Sequence, residues 1–150
     1  GNTYSLLETE SLIKEQKEAI GKTKEEATMI LNHKTAFEEI LKNKNDLKIL
    51  SISKINQLHN VLIKDLNVTT GIRKQAVGIT GTTYQPLDNE HQIKEVFEKT
   101  ILIVNKTENV LEKALIAHFM ISYIQPYTDG NKRTARMLTN AILLAYDLYP

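Results

Sequence analysis

Apolar residues recur along most of the chain every three or four positions, which is the spacing of amphipathic helices. Polar residues before several of these stretches suit helix caps. Thr23 and Glu26 have the spacing of a capping box, Ser51 or Ser53 is expected to begin another helix, and Asp88 a further one. The pattern predicts helices over residues 5–20, 23–41, 51–66, 88–104 and 114–124, and from about residue 131 to residue 146.

Residues 72–87 interrupt this pattern, because they are rich in β-branched residues and punctuated by glycine. We predict a small β-hairpin here, and a simple surface ribbon is the alternative. Its central residues are Val77, Gly78, Ile79, Thr80 and Gly81. The predicted fold class is therefore all-α with one small β-hairpin. A length of 150 residues suits a single well-buried domain over residues 1–150.

Composition narrows the classes of function. With 41% hydrophobic and 25% charged residues, the sequence is typical of an ordinary soluble globular domain. A net charge of +1 gives no electrostatic footprint for nucleic acid or an acidic membrane, and no apolar run approaches a membrane span of about 18 residues. The absence of cysteine excludes disulfides and thiolate metal sites and fits a cytoplasmic protein. Because the net charge is so small, any anion-binding site must be formed by a local group of residues.

Residues 125–136 carry the candidate chemistry. Pro126 should stop the preceding helix, because a proline keeps its predecessor out of the α region, and Gln125 is therefore expected at a helix end. The Asp-Gly-Asn sequence at 129–131 supplies turn and cap residues for the next helix. This loop delivers small residues and backbone N–H groups to a helix N-terminus, where the dipole and the unpaired donors favour an anion.

Charged side chains around the loop suit a phosphate group. Arg133 and Arg136 are three residues apart, so they lie on one helix face and can clamp one polyphosphate. Asp129 is a hard oxygen ligand of the kind that Mg²⁺ takes alongside nucleotide phosphates. From the residues alone one alternative stays open, in which an Asp-Gly turn caps an ordinary surface helix and both arginines lie in solvent.

The same stretch resembles the signature of the Fic/Doc family, which runs His-Pro-Phe-x-(Asp or Glu)-Gly-Asn-(Gly or Lys)-Arg-x-x-Arg between two helices. Tyr127 is a mild change from phenylalanine, whereas Gln125 occupies the position of the histidine. The residues that match the signature are Pro126, Asp129, Gly130, Asn131, Lys132, Arg133 and Arg136.

The resemblance implies a Fic fold and a nucleotide, most often ATP with Mg²⁺, as the ligand of this loop. Most family members move AMP from ATP to a serine, threonine or tyrosine hydroxyl of a target protein. By resemblance, the metal ligand is Asp129, the backbone donors to the phosphates are Gly130, Asn131 and Lys132, a phosphate is gripped by Arg133, and the terminal phosphate by Arg136.

Gln125 puts the reaction in question. In the family, the histidine at this position is the general base that takes the proton from the target hydroxyl. A glutamine amide can form a hydrogen bond with that hydroxyl but cannot accept its proton, and general-base help contributes roughly 10²–10⁴ in rate. Transfer is therefore expected to be slow or absent. One alternative is a non-catalytic protein that binds nucleotide or a partner. Another is that an experimenter introduced Gln125. Lys132 also leaves open the phosphate transfer of the Doc branch.

The other histidines do not replace this base. His118 lies seven residues before Gln125, roughly 10 Å along the same helix, which is too far for direct proton transfer. We expect His118 and His59 to be packed, hydrogen-bonded structural residues. His33 and His91, which stand among polar residues, are expected at the surface.

Three further expectations come from the resemblance. Many members carry an inhibitory helix whose glutamate pairs with the last arginine of the signature, and Glu8 within residues 1–20 is the candidate for that glutamate. The predicted hairpin at 72–87 corresponds to the family's flap, which holds the target segment by strand addition. Family members usually continue with further helices, so the chain is expected to extend beyond Pro150. The resemblance is also compatible with a homo-oligomer.

Overall fold

The computed structural model describes residues 3–150. Residues 1 and 2, the start of the predicted inhibitory segment, lie outside the described residues. The described chain is helical and includes a short 3₁₀ helix, Lys44–Lys48, between the second and third α-helices. The α-helices are α1 (Leu6–Glu15), α2 (Lys24–Lys42), α3 (Ile52–Leu62), α4 (Glu90–Lys106), α5 (Val110–Ile124) and α6 (Asn131–Ala145).

Side-chain caps set several of the helix starts. The Thr23 side chain accepts a hydrogen bond from the Glu26 amide while the Glu26 carboxylate accepts one from the Thr23 amide, which confirms the predicted capping box. Ser51 caps α3. The cap of α4 is Asn89 and not Asp88, because the Asn89 side chain reaches the amides of the first helical turn.

Two helices end earlier than their hydrophobic pattern indicates. Helix α1 stops at Glu15 instead of residue 20, since Gln16 takes the left-handed conformation at the C-cap. Helix α3 stops at Leu62 instead of Leu66, and Asp65, which has a φ of 60°, belongs to the turns that follow it. Ile63, just beyond α3, is buried from outside the helix, whereas Ile20, beyond α1, is fully exposed.

Helices α5 and α6 pack against each other at the centre of the molecule, with α4 against α5 and with α2 and α3 against α6. This arrangement puts the α5–α6 connection, which carries the signature loop, among four helices. The most deeply buried residues of the core include Ala36, Leu62, Phe97, Tyr127, Ala135, Leu138, Ala141 and Ile142.

The all-α architecture is confirmed, but the predicted β-hairpin at 72–87 is not formed among the described residues. One turn, in which the Thr82 amide donates to the Ile79 carbonyl at 3.3 Å, replaces a strand ladder. Pro86 lacks a backbone donor, and glycine weakens strand structure, so the two arms have little to hold a ladder together. Hydrogen bonds from the Arg73 side chain hold both ends of the segment instead.

None of the described helices combines the length and the apolar character that crossing a membrane requires.

Candidate functional site

The signature loop between α5 and α6 is held in shape by Asn131. Its side-chain Nδ2 donates to the Tyr127 carbonyl at 2.7 Å, and its Oδ1 accepts from the Tyr127 amide at 2.9 Å. Asn131 is buried. Its side chain therefore serves the loop, and only the backbone of Asn131 remains as a potential phosphate donor.

Tyr127, which replaces the phenylalanine of the signature, fixes the loop to the core. Its ring is fully buried and stacks on the His59 ring with the centroids 3.7 Å apart. Its hydroxyl donates to Asn56 Oδ1 at 2.8 Å. Burial raises the pKa of the Tyr127 phenol, so the hydroxyl remains a donor at all physiological pH values. The extra hydroxyl thus adds a hydrogen bond between the loop and α3.

His59, on α3, contacts the signature loop and is the packed structural histidine that the sequence predicts. Its Nε2 lies 2.9 Å from the Asp129 carbonyl oxygen, so this nitrogen carries the proton and donates. The Nδ1 is buried without a hydrogen-bond partner. Burial lowers the pKa of the His59 imidazole, which keeps the ring neutral at pH 7.

Gly130 is required at the turn into α6 for two reasons. Its φ is +81°, a left-handed conformation that disfavours residues with a side chain. A Cβ atom here would also lie 3.1 Å from Ile63 Cγ2 and 3.4 Å from His59 Nε2. The close packing on α3 sets where α6 begins and therefore where its N-terminal amides lie.

The cations of the signature differ in exposure. The Arg133 side chain is 15% exposed, and its Nη2 contacts Asp129 Oδ2 at 3.1 Å. Its Nη1 is buried and has no hydrogen-bond partner. Lys132 and Arg136 are exposed, and neither forms an ion pair within residues 3–150. Arg133 thus presents a buried, unsatisfied donor at the start of α6.

Two cavities meet at this point. The smaller, of about 440 Å³, lies between the signature loop and residues 77–80 and is also lined by Gln125. The larger, of about 960 Å³, lies on the other side, between α1, α2 and α6. The residues that line both are Asp129, Lys132 and Arg133. The Arg133 guanidinium, whose Nη1 is buried, therefore lies where one elongated anionic ligand could occupy both cavities.

Gln125 lies at the C-cap of α5, as predicted, with the left-handed φ of 51° and ψ of 60°. Its side-chain Nε2 donates to the Ser122 carbonyl at 2.5 Å, so the amide turns back onto the last turn of its own helix. Its main-chain carbonyl accepts from Arg73 Nε at 2.6 Å. The residue is 7% exposed and lines the smaller cavity.

Arg73 lies at the border of the segment 72–87, and its burial and its contacts with the signature loop were not predicted from the sequence. It is 2% exposed, and its main-chain amide donates to the Pro126 carbonyl at 2.9 Å. Burial lowers the pKa of its guanidinium, and carbonyl oxygens supply its hydrogen-bond acceptors. These carbonyls belong to Gln75 at 2.7 Å, Leu87 at 2.5 Å, Ile124 at 3.5 Å and Gln125 at 2.6 Å. A lone arginine in a polar stretch gives no sequence signal for such burial.

The structure does not bring Glu8 and Arg136 together. The Glu8 carboxylate accepts from the Ser5 amide at 2.7 Å and closes the capping box of α1, and its Oε2 lies 4.0 Å from Lys22 Nζ. The hydrogen bond from Ser5 lowers the pKa of Glu8. The inhibitory role of Glu8 stays a prediction, and the observed contacts give the residue a local structural role.

His33 is half-buried, in contrast to the expected surface position, and lines the larger cavity together with Arg136. Burial, and secondarily the charges of Arg136 and Arg133, lower the pKa of its imidazole. His118 Nδ1 lies 3.1 Å from Thr139 Oγ1, as expected of a packed histidine.

Asp129 is the one carboxylate among the described residues that line either cavity. Within residues 3–150, no group of three or more histidine, aspartate or glutamate side chains could hold a metal by itself. A site of this kind fits Mg²⁺ that is shared with a ligand's phosphates, because Mg²⁺ commonly takes one or two carboxylates and completes its shell with phosphate oxygens and water.

Comparison with known proteins agrees with this geometry. Residues 49–143 match the sequence profile of the Fic/DOC family. The protein adenylyltransferase fic-1 of Caenorhabditis elegans is 26% identical over 151 residues, which cover 96% of this chain and 29% of that protein. A probable protein adenylyltransferase of Aquifex aeolicus is 31% identical over 99 residues, which cover 65% of this chain and 31% of that protein.

Solved structures agree at the level of the fold. A Fic family protein from Desulfovibrio desulfuricans superposes with a TM-score of 0.84 at 20% identity, covering 97% of this chain and 44% of the other. Fic-1 of C. elegans superposes with a TM-score of 0.80 at 26% identity over all of this chain and 46% of the other. The chain spans about a third or less of the length of the curated relatives it matches. The profile covers more than half of the sequence, and the chain belongs to the Fic/DOC family.

Proposed function

We propose that residues 1–150 form a single Fic domain that binds ATP, with the triphosphate seated at the N-terminus of α6. The observation that carries this proposal is the buried Arg133 Nη1, which has no partner and lies between the two cavities. A buried, unpaired cationic donor is costly unless a ligand satisfies it. A phosphate oxygen would satisfy it with a charge-assisted hydrogen bond.

The neighbouring residues have complementary roles in this proposal. The backbone amides of residues 130–132 and the α6 dipole attract the phosphates. Arg133 grips one phosphate, and the exposed Arg136, one turn further along α6, takes the terminal one. The Asp129 carboxylate would hold Mg²⁺ together with the phosphates, and the ion would offset the charge that builds up on them.

The relatives named as protein adenylyltransferases suggest the reaction that this domain would perform. A target hydroxyl oxygen forms a bond to the α-phosphorus, the bond from that phosphorus to the β-phosphate bridge breaks, and pyrophosphate leaves. The hydroxyl proton must go to a base. Gln125 cannot accept it, so we infer that AMP transfer is reduced by roughly 10²–10⁴ relative to a histidine at this position.

The flap segment supplies the surface for the target in this proposal. Residues 77–80 line the smaller cavity beside Gln125, and their backbone takes no part in a ladder within the described chain. An extended target segment could pair with the backbone of Val77, Gly78, Ile79 and Thr80, with Gly81 at the turn. Its hydroxyl would then face the α-phosphate.

A second candidate function is nucleotide binding without transfer. The observation that favours it is the hydrogen bond from Gln125 Nε2 to the Ser122 carbonyl, because this bond turns the amide away from a substrate hydroxyl. Such a protein would bind ATP and use the bound state to engage a partner. Phosphate transfer, as in the Doc branch, is the remaining alternative that Lys132 leaves open.

Binding and transfer are tested separately. Calorimetry with Mg²⁺ and ATP should detect binding by the natural sequence, and Arg133→Ala should weaken it roughly 10- to 100-fold, the value of one charge-assisted contact. Lys74→Ala, which removes a cation from the exposed pair with Glu90, is the matched control. An unchanged affinity in Arg133→Ala would contradict the phosphate site.

Transfer is measured with ATP labelled at the α-phosphate and a cell lysate, for the protein with Gln125 and for Gln125→His. Label on protein with the histidine variant alone would support an adenylyltransferase scaffold silenced at one residue. Binding with no label from either protein would support the nucleotide-binding alternative. Label that appears only with ATP labelled at the γ-phosphate would support phosphate transfer.

A further inference from the structure

We propose that His33 is a third cationic contact for the triphosphate end of the nucleotide, and that ATP binding is coupled to the uptake of a proton by this imidazole. The inference rests on the proposed nucleotide site and adds to it a residue of α2 and a dependence on pH. It also predicts that the coupling grows with the number of phosphates on the ligand.

The larger cavity places His33 on the path of the phosphates. Its walls come from α1, α2 and α6, and both Arg133 and Arg136 line it together with His33. Arg136 and His33 also line a smaller recess of about 250 Å³ next to it, so these two side chains line both spaces. A terminal phosphate held by Arg136 would therefore lie next to the imidazole.

The charges around His33 are unbalanced in the absence of a ligand. Asp129, the single acidic residue among the described lining residues, is already paired with Arg133. Lys34 donates to the Ile13 carbonyl at 3.4 Å and lies 3.9 Å from Glu38, so it ties α1 to α2. The titratable and charged groups that face these two spaces are Tyr4, Lys34, His118, Asp129, Lys132, Arg133 and Arg136.

Binding of a triphosphate would change the net charge around His33 from positive to negative. Without ligand, burial and the two arginines lower the pKa of His33, so the imidazole is neutral at pH 7. A bound triphosphate neutralises both arginines and adds negative charge, which raises the pKa and draws a proton onto the ring. ATP affinity should therefore rise as the pH falls from 8 towards 6, by roughly three- to tenfold.

The phosphate number provides an internal control. AMP carries no terminal phosphates to reach Arg136 and His33, whereas ATP does. Proton uptake should thus be largest for ATP, smaller for ADP and close to zero for AMP. A general effect of pH on the fold would change the affinity for all three nucleotides alike.

The test is calorimetry with excess Mg²⁺ at pH 7 in two buffers of different ionisation enthalpy, which gives the number of protons taken up on binding. Excess Mg²⁺ largely keeps ATP and ADP from titrating in this range, and the ionisation of the AMP phosphate is measured separately and subtracted. The natural sequence should take up a substantial fraction of a proton with ATP. His33→Gln should take up almost none and bind ATP several-fold more weakly at pH 6, with little difference at pH 8. His91→Gln, at an exposed histidine, should behave like the natural sequence.

The outcomes separate this inference from the proposed function. ATP binding by the natural sequence without proton uptake, or equal uptake by His33→Gln, would overturn the inference alone. Absence of ATP binding at both pH 6 and pH 8 would overturn the proposed function and this inference with it. Thermal denaturation of His33→Gln establishes that the variant is folded, and His33→Lys, which keeps a permanent cation, should bind ATP without the pH dependence.

Discussion

The Arg73 guanidinium forms its hydrogen bonds with four backbone carbonyls and no ion pair among the described residues, although the charge of Asp88 also acts on it. Two of these carbonyls, of Ile124 and Gln125, lie at the C-terminal end of α5, where helix carbonyls lack partners. Arg73→Met should therefore destabilise the fold by about 3 kcal/mol or more, because it leaves several buried acceptors unsatisfied. Urea denaturation measures this loss. Arg73→Lys should recover part of it, and a loss below about 1 kcal/mol for Met would contradict the assignment.

Gly130 is a second residue whose identity follows from local geometry. Gly130→Ala should destabilise the fold by about 1–3 kcal/mol, because the left-handed φ and the contact with Ile63 both oppose a Cβ. It should also weaken ATP binding, since α6 must shift. Gly78→Ala is the matched control, because a Cβ there meets no atom within 4 Å. Equal denaturation midpoints for both variants would show that the turn tolerates a side chain.

At the scale of elements, the sequence was most informative where a local interaction decides the outcome. The Thr23 capping box and the end of α5 at Gln125 depend on neighbours in the chain, and both lie where predicted. The burial of Arg73 and the half-buried position of His33 depend on distant segments, which local patterns do not report. The prediction of a hairpin was wrong because the segment is also held by a contact that local patterns do not report. Hydrogen bonds from the Arg73 side chain take the place of strand pairing.

Helix α1 offers a direct test of the predicted inhibitory glutamate. Glu8→Gln removes the charge but keeps a side chain that can close the capping box. We expect ATP affinity to stay unchanged, since the carboxylate contacts Ser5 and Lys22 and not Arg136. Glu8→Ala should lower the thermal midpoint through loss of the cap. Tighter ATP binding by Glu8→Gln, measured by calorimetry, would instead support the inhibitory role.

At the scale of the whole molecule, stability should depend on the buried His59 and the half-buried His33. The pKa values of His59 and His33 are lowered in the folded state, so the unfolded chain binds more protons as the pH falls. This contribution to stability is therefore complete well above the ordinary histidine pKa of about 6.5 and is lost as the pH falls through that value towards the lower pKa values of the folded state. Urea midpoints across this window measure the decline, and a midpoint that rises on acidification would contradict it.

A separate acid transition belongs to the carboxylates. Hydrogen bonds from Thr3 and Thr23 lower the pKa of Glu26 to about 2. Its contribution is present above the ordinary glutamate pKa and is lost as the pH falls through the folded value. The histidine-dependent decline begins near the ordinary histidine pKa of about 6.5, whereas the loss from Glu26 begins only near the ordinary glutamate pKa, so the two losses start in different pH ranges.

The Arg73 side chain also turns the flap segment into a closed loop. It joins the carbonyls of Gln75 and Leu87, which enclose thirteen residues between and including them. Bringing the ends of such a loop together costs about 2 kcal/mol of chain entropy. This cost is part of the free energy of folding and is not added when a ligand binds. A target strand that binds here needs to order only the residues between two fixed ends. In the proposed function, this segment would thus be prepared for an incoming target strand although it has no strand ladder of its own.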